Sequence, residues 1–174
     1  NKQKKIVTEE LNIKNLADIA TWADKTRRNR KQETPWHYTN VKEGEWTYRV
    51  SRDCPKRNCV IEKIKEFSAV LENVKLPLKR RKVALKYLVH FVGDVHQPLH
   101  LGNRKDQSGG KIRLTYLGKS VTPHYFWDGG LIDWEKENLL KCATRLNTQL
   151  QDLEKSKWLH SKVNDWADES RSLA

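Results

Sequence analysis

The chain has 174 residues, 37% of them apolar and 32% charged, enough for one compact domain with a core and a well-solvated surface. Its formal net charge is +12, from 34 Lys and Arg against 22 Asp and Glu, which suits a polyanionic partner or serves solubility alone. No apolar stretch approaches the length that spans a bilayer, so stable membrane insertion is not expected.

Leu16, Ile19, Ala20 and Ala23 follow helical spacing and predict a helix from Asn15 to about Arg30, with Asp24 beside the apolar stripe. Gln32 to Arg57 carries Pro, Gly, Asn and several aromatics and reads as a long loop. Val60, Ile64, Phe67 and Leu71 mark a second helix. Pro77 opens a third, which runs through Ala84, Leu85, Leu88, Val89 and Val92 to about Val95, and Pro98 stops it. Leu99 to Gly110 reads as a loop. Ile112, Leu114 and Tyr116 then alternate with Arg113, Thr115 and Leu117, and Gly118-Lys119 is a turn signal, so Lys111 to Ser120 predicts a short strand or hairpin. A further helix is expected from about Ile132 to Leu153, with a stripe of Leu139, Ala143, Leu146, Leu150 and Leu153. A last one covers roughly His160 to Leu173. The expected fold is mainly α, one helical domain with a small β-hairpin.

The chain has three cysteines. Cys54 and Cys59 bracket Pro-Lys-Arg-Asn, a turn-like segment that suits a small disulfide loop. A Cys-x4-Cys metal pair is the rival reading, ranked lower because no further Cys or His lies close by in sequence. Cys142 has no evident partner. A local disulfide suggests an oxidising compartment. The sequence begins at Asn1 and holds no Met, as expected of a processed or truncated piece whose targeting cannot be read from its start.

Leu88 to His100 places His90, His96, His100 and Asp94 among apolar residues. Buried polar groups are costly unless something binds them, and a metal ion is the usual reason to concentrate imidazole and carboxylate in this way. His90 and Asp94 are four apart, one turn above each other on one helix face. His100 follows Pro98 and can fold back toward them. Asp24, His37, and the pair His124 and Asp128 (which repeats the His-x3-Asp spacing) lie in similar apolar or aromatic settings. Each has a plainer reading: Asp24 as a hydrogen-bonded helix carboxylate, His37 as a loop histidine on Trp36, His124 and Asp128 as a simple hydrogen-bonded pair. Singly, the plainer reading outweighs metal binding. Together the balance shifts, because Asp/His mixtures without thiolates are what hydrolytic zinc sites use. Seven candidate ligands exceed the needs of one tetrahedral ion and imply two or more, with a carboxylate such as Asp94 shared.

The motifs "LADIATWAD", "PWHYTN", "CPKRNC", "LVHFVGDVHQPLH", "SGGKIRLTYLG", "HYFWDGGL" and "WADESRSLA" occur in this order. Over nearly the whole chain they resemble the S-one/P-one family of zinc-dependent single-strand nucleases with 3′-nucleotidase activity, which forms one superfamily with the bacterial zinc-dependent phospholipases C. The resemblance implies a trinuclear Zn2+ cluster in a mainly helical domain. Asp24, His37, His90 and Asp94 would hold the first ion, and His100, His124 and Asp128 the second. The third normally takes an N-terminal Trp and a following His, with Asp94 bridging it to the first. This sequence lacks that segment, and the family continues with more helix beyond Ala174. Residues 1–174 are therefore expected to be a single zinc-dependent nuclease domain without the N-terminal metal-binding segment and the C-terminal helices, holding two to three zinc ions. Lys111 stands where the family usually has Asn.

The implied reaction is in-line hydrolysis by a zinc-activated water, without a covalent protein intermediate, leaving a 5′-phosphate. Asp94 and Arg27 would serve catalysis: Arg27 lies one turn after Asp24 and can neutralise charge on the phosphate. A solvated arginine in a basic helix end beside Lys25, Arg28 and Arg30 is the alternative. Asn40 matches a position that helps orient the water or phosphate, or it makes a turn. Tyr38 resembles a position that stacks on an unpaired base, or it packs in the core. His96 is either an orienting partner of the ligands or a core histidine.

The leading expectation is thus a zinc-dependent endonuclease and 3′-nucleotidase acting on single-stranded DNA and RNA, secreted or periplasmic and monomeric. The alternatives are a zinc-dependent phospholipase C, and a non-catalytic relative whose basic surface only binds polyanions. The charge and the "WAD" and "PWHYTN" contexts favour nucleic acid.

Overall fold

Two consecutive helices form the frame on which everything else is hung. The computed structural model describes residues 6–103, 105–132, 138–150 and 152–174. Within them, α1 spans Trp22–Arg27, α2 Val60–Glu72, α3 Leu78–His96, α4 Leu139–Gln149, α5 Asp152–His160 and α6 Val163–Leu173, with a two-stranded antiparallel hairpin of β1 (Leu114–Tyr116) and β2 (Lys119–Val121). The chain is mainly α, as its pattern predicts. α2 and α3 are joined by the short 73–77 connection and pack against each other along their length.

The core lies where Val60, Ile61 and Ile64 of α2 meet Ala84, Tyr87, Phe91 and Val95 of α3, all essentially buried. Full burial of a side chain such as Ile61, Ile64 or Phe91 contributes about 1.5–3 kcal/mol each. Tyr87 is the hub of an aromatic cluster. It stacks on Phe67 at 4.5 Å and on Phe91 at 5.4 Å, and takes the edges of Trp22 at 5.1 Å and Trp36 at 5.6 Å. Its hydroxyl donates to the buried carboxylate of Glu33 at 2.8 Å, so the ring's one polar atom is satisfied. Burial and that bond push the phenol up to about 12. Trp22 and Trp36 flank Asp24 and His37 in sequence, so this cluster presses both of those segments onto α3.

α6 closes the opposite side through Ala167. Asp168 accepts from Tyr48 N at 2.7 Å, and Arg171 donates to the carbonyls of Glu45 and Leu101. The segment after His37 is laid against the turn after α3 by Thr39 N to His100 O (2.8 Å) and Val41 N to Gly102 O (3.1 Å).

Several expected elements differ in detail. The helix expected over Asn15 to Arg30 is broken into a 3-10 turn, Ala17–Ile19, and α1. The break at Thr21 leaves the Ala20 carbonyl outside any helix, where it meets a histidine of α3. The long loop 32–57 contains a 3-10 helix, Lys31–His37, and a helical turn, Val50–Asp53, whose N-terminus is tied by Asp53 accepting from Arg49 N at 2.9 Å. The hairpin forms, but its turn is Leu117-Gly118, both at positive φ, the conformation of a tight two-residue reversal; Lys111 to Arg113 stay outside the strands. The helix expected over Ile132 to Leu153 stops at Leu150, whose backbone is extended. Residues 133–137 and 151, and the Leu153 side chain, lie outside the described residues. Leu139 and Leu146 of its stripe are exposed. His160 ends α5 rather than starting the last helix.

Cys54 and Cys59 are joined as a disulfide, which removes the metal-pair reading; Cys142 is a half-buried free thiol. The disulfide adjoins the start of α2, whose first amide, Val60 N, donates to Tyr38 O.

Candidate metal centre

At the C-terminal end of α3 the helix turns two polar side chains toward the segments packed beside it. His90 and Asp94 lie one turn apart, with Oδ2 of Asp94 3.1 Å from Nε2 of His90. His37, at the end of the 3-10 helix, brings Nδ1 to 2.9 Å from Asp94 Oδ2 and 3.1 Å from His90 Nε2. Asp24 of α1 approaches from the open side, with Oδ1 3.7 Å from His37 Nδ1 and 3.6 Å from His90 Nε2. The side chains of His37, His90 and Asp94 are largely buried, whereas Asp24 is 47% exposed. The His37 ring stands edge-on to Phe91 at 5.1 Å, so the core fixes its plane.

A second group forms beside the first. Gln97 caps the Pro98–Leu101 turn, its side chain accepting from Leu99 N, and this presents His100. His124, in the Pro123–Tyr125 helical turn that Thr122 caps, stacks on His100 with ring centres 5.2 Å apart. Asp128, one turn on, places Oδ2 3.4 Å from His124 Nε2. The donor atoms of Asp24, His37 and His90 lie within 4.8 Å of one another, as do those of His100, His124 and Asp128. Asp94 stands between the groups, its Oδ2 facing the first and its Oδ1 3.4 Å from His100 Nδ1.

The hydrogen bonds around these side chains suit cation binding. His90 Nδ1 is 2.7 Å from Ala20 O and His124 Nδ1 is 3.0 Å from Ser108 O. A carbonyl only accepts, so Nδ1 carries the proton in each neutral ring and Nε2 presents a lone pair beside a carboxylate. Lone pairs facing carboxylate oxygens need a proton or a metal cation between them. His37 Nε2 and His100 Nδ1 are buried without a hydrogen-bond partner, a costly arrangement that a bound ion would relieve at His100. Burial pushes Asp94 upward, but hydrogen bonds with His37 and His90 and the nearby His100 hold it down, to about 2. Burial pushes His90 down, and the bond to Asp94 outweighs this and raises it. For His100 burial wins and its pKa is lowered, favouring the neutral, ligating ring. This donor set of imidazole nitrogen and carboxylate oxygen fits zinc.

A cleft of about 500 Å³ opens over both groups, lined by Arg27, His37, Tyr38, Asn40, His100, Gln107, Ser108 and His124. The three cleft residues expected from sequence are therefore at the site. Arg27 is paired with Asp24 at 3.1 Å, and is neither buried nor free in solvent. His96 is not at the site. It is exposed, with Nδ1 2.7 Å from Val92 O and its ring 5.4 Å from Trp166, so it is neither an orienting partner nor a core histidine. One helical residue past Asp94 rotates the side chain by about 100°, and two steps carry His96 to the far face.

Sequence reasoning did not single out Gln97, whose Nε2 donates to Asp128 Oδ1 at 2.8 Å, or the carbonyls of Ala20 and Ser108. Gln97 stands one residue before Pro98, the position that caps the following turn, and that is its signal in the sequence. Backbone carbonyls leave no residue-type signal at all.

Fold and site together define a helical domain with two adjoining His/Asp groups able to hold metal ions. The chain belongs to the S1/P1 nuclease family: the family described as S1/P1 Nuclease matches residues 1–174. It is 27% identical over 164 residues to Endonuclease 2 of Arabidopsis thaliana, covering 88% of this chain and 54% of that protein. It is 29% identical over 160 residues to Nuclease S1 of Aspergillus oryzae, covering 88% and 55%. It is 32% identical over 118 residues to Nuclease P1 of Penicillium citrinum, covering 65% and 43%. The chain spans about half the length of these relatives.

Proposed function

We propose that residues 1–174 form a single zinc-binding nuclease domain that hydrolyses phosphodiester bonds of single-stranded DNA and RNA to 5′-phosphates, with 3′-nucleotidase activity, in a secreted or periplasmic setting and as a monomer. The observation that carries this reading is the convergence of seven His and Asp side chains, from Asp24 to Asp128, on two adjoining groups with Asp94 between them. The names of the relatives supply the chemistry expected of such a site.

Asp24, His37, His90 and Asp94 would hold one zinc ion and His100, His124 and Asp128 a second; a third would need donors beyond these. Zinc, when bound, supplies Lewis-acid activation of water and of the phosphoryl group. Asp94 carries negative charge into both groups. Arg27, on the cleft wall beside Asp24, is placed to exchange its carboxylate partner for a phosphate oxygen, at little cost because the pair is half-exposed. Asn40 offers a neutral amide to phosphate or water from the same wall. Tyr38 offers a ring on which an unpaired base stacks, whereas a base within a duplex has no free face.

Elemental analysis together with cleavage of single-stranded DNA tests the proposal. Stoichiometric zinc of about two to three ions per chain and chelator-sensitive cleavage are expected; a protein that holds no zinc and cuts no strand overturns it. One observation favours a second reading. Tyr125, Trp127, Leu131 and Ile132, close in sequence to His124 and Asp128, are exposed, and exposed apolar side chains are what a phospholipase C needs at a lipid surface. Phosphatidylcholine assayed beside single-stranded DNA separates the two, and selective hydrolysis of the lipid reverses the ranking.

A further inference from the structure

Between Glu72 and Asp94 the chain holds six Lys and Arg and no acidic residue. Nearly all of this stretch is α3, and its cations are crowded toward the N-terminal half. The helix starts behind Pro77 with no capping side chain and no acid in its first turn. Cations there oppose the helix dipole and repel one another, so their crowding at this end costs the helix electrostatically. Arg81 alone is turned inward, donating to Leu71 O at 2.9 Å.

Lys79, Lys82 and Lys86 fall on one face, and His90 and Asp94 continue the same line at four-residue steps, each advancing about 6 Å along the axis. Lys82 Nζ reaches Asn12 O at 3.1 Å, and Lys86 Nζ lies 4.9 Å from the ring centre of Trp22. Trp22 starts α1, which carries Lys25 one turn on and Asp24 and Arg27 at the cleft. The line of lysines thus runs from the far end of α3 to α1 and the edge of the metal centre. The segments packed on α3 beside it carry Glu9, Glu10 and Asp18, with Lys14 and Lys25 among their cations.

We propose that Lys79, Lys82 and Lys86, continued by Lys25, form a docking strip on which an extended single-stranded nucleic acid lays successive phosphates while one of its bonds occupies the His/Asp cleft. This rests on the nuclease reading above and adds a partner surface outside the cleft. The strip selects by charge and length. A long strand reaches it, whereas a very short one fills the cleft alone.

The test is binding of cleavage-resistant phosphorothioate oligothymidylates, about 20 and about 4 nucleotides long, across a salt series. The probe is followed by fluorescence anisotropy on the metal-loaded protein. In the triple variant Lys79→Gln, Lys82→Gln, Lys86→Gln, the salt slope for the long strand falls by about 2, from three contacts at about 0.7 each. The long-to-short affinity ratio falls at least about fivefold. The triple Lys→Arg variant keeps both. A wild type that cleaves DNA, beside a Gln variant with unaltered slope and ratio, overturns the strip alone. A Gln variant that loses binding to phosphatidylserine vesicles while keeping the DNA slope also overturns it, making a membrane surface the occupant. A wild type that neither binds nor cuts single-stranded DNA overturns the nuclease reading and the strip with it.

Discussion

Gln97 holds Asp128: its side-chain amide donates to Asp128 Oδ1 at 2.8 Å while its own carbonyl accepts from Leu99 N at 2.6 Å. One side chain therefore caps the turn that presents His100 and steers a carboxylate 31 residues away. Asp128 Oδ2 is left facing His124.

Gln97→Ala is expected to weaken metal binding by about 10–100-fold, the usual cost of losing an orienting partner. Titration of apoprotein with zinc against a competing chelator measures it. Unchanged affinity would remove Gln97 from the site.

Asp94→Asn has a larger effect. It removes the charge that faces both groups and leaves His37, His90 and His100 around a neutral amide. Hydrolysis is expected to fall by more than about 100-fold, with loss of bound zinc on elemental analysis. A variant that keeps both metal and activity contradicts the shared role.

The Cys54–Cys59 bridge closes a short loop. Loop-closure entropy for so few residues is about 2 kcal/mol. Replacing both cysteines by Ser should cost about that much in urea unfolding, lowering the midpoint. Because Val60 N donates to Tyr38 O at the foot of this loop, the variant should also bind a short single strand less tightly than the parent.

Glu62 gives a pH dependence with a definite sign. Its side chain is buried; burial pushes the pKa up, but Lys65, Arg57 and the Tyr48 hydroxyl outweigh this and lower it below 4.5. A carboxylate with a depressed folded-state pKa stabilises the fold above its unfolded value, and that contribution disappears as pH falls through the folded value. Thermal stability should therefore drop below about pH 4.5, and less steeply in Glu62→Gln. Parallel acid profiles in the two proteins would contradict the assignment.

The long apolar periods of α2 and α3 were legible to within a residue or two, because burying one helix face leaves a 3.6-residue signature. The His and Asp side chains that the fold brings together are conspicuous in the same way, because they stand in apolar settings. Two kinds of feature were not. The break at Thr21 has no Gly or Pro to mark it; packing of Trp22 on Tyr87 and the bond from His90 to Ala20 O reward it only in three dimensions. The exposed Leu139 and Leu146 match an amphipathic pattern as well as any buried pair, because periodicity reports a face and not what covers it. His96 shows the same limit: it shares a rich motif with His90 and Asp94, but its angular position on the helix puts it on the outer face.

Tyr87, clamped between Trp22 and Trp36, ties the integrity of the His/Asp groups to the melting of the ring cluster. Both indoles sit beside donor residues, so loosening the ring cluster releases Asp24 and His37 together, before α2 and α3 need separate. On heating, the near-ultraviolet dichroism of the tryptophans should fade in step with the capacity to bind zinc and ahead of the helical signal, and thermostability would have to be gained at these rings.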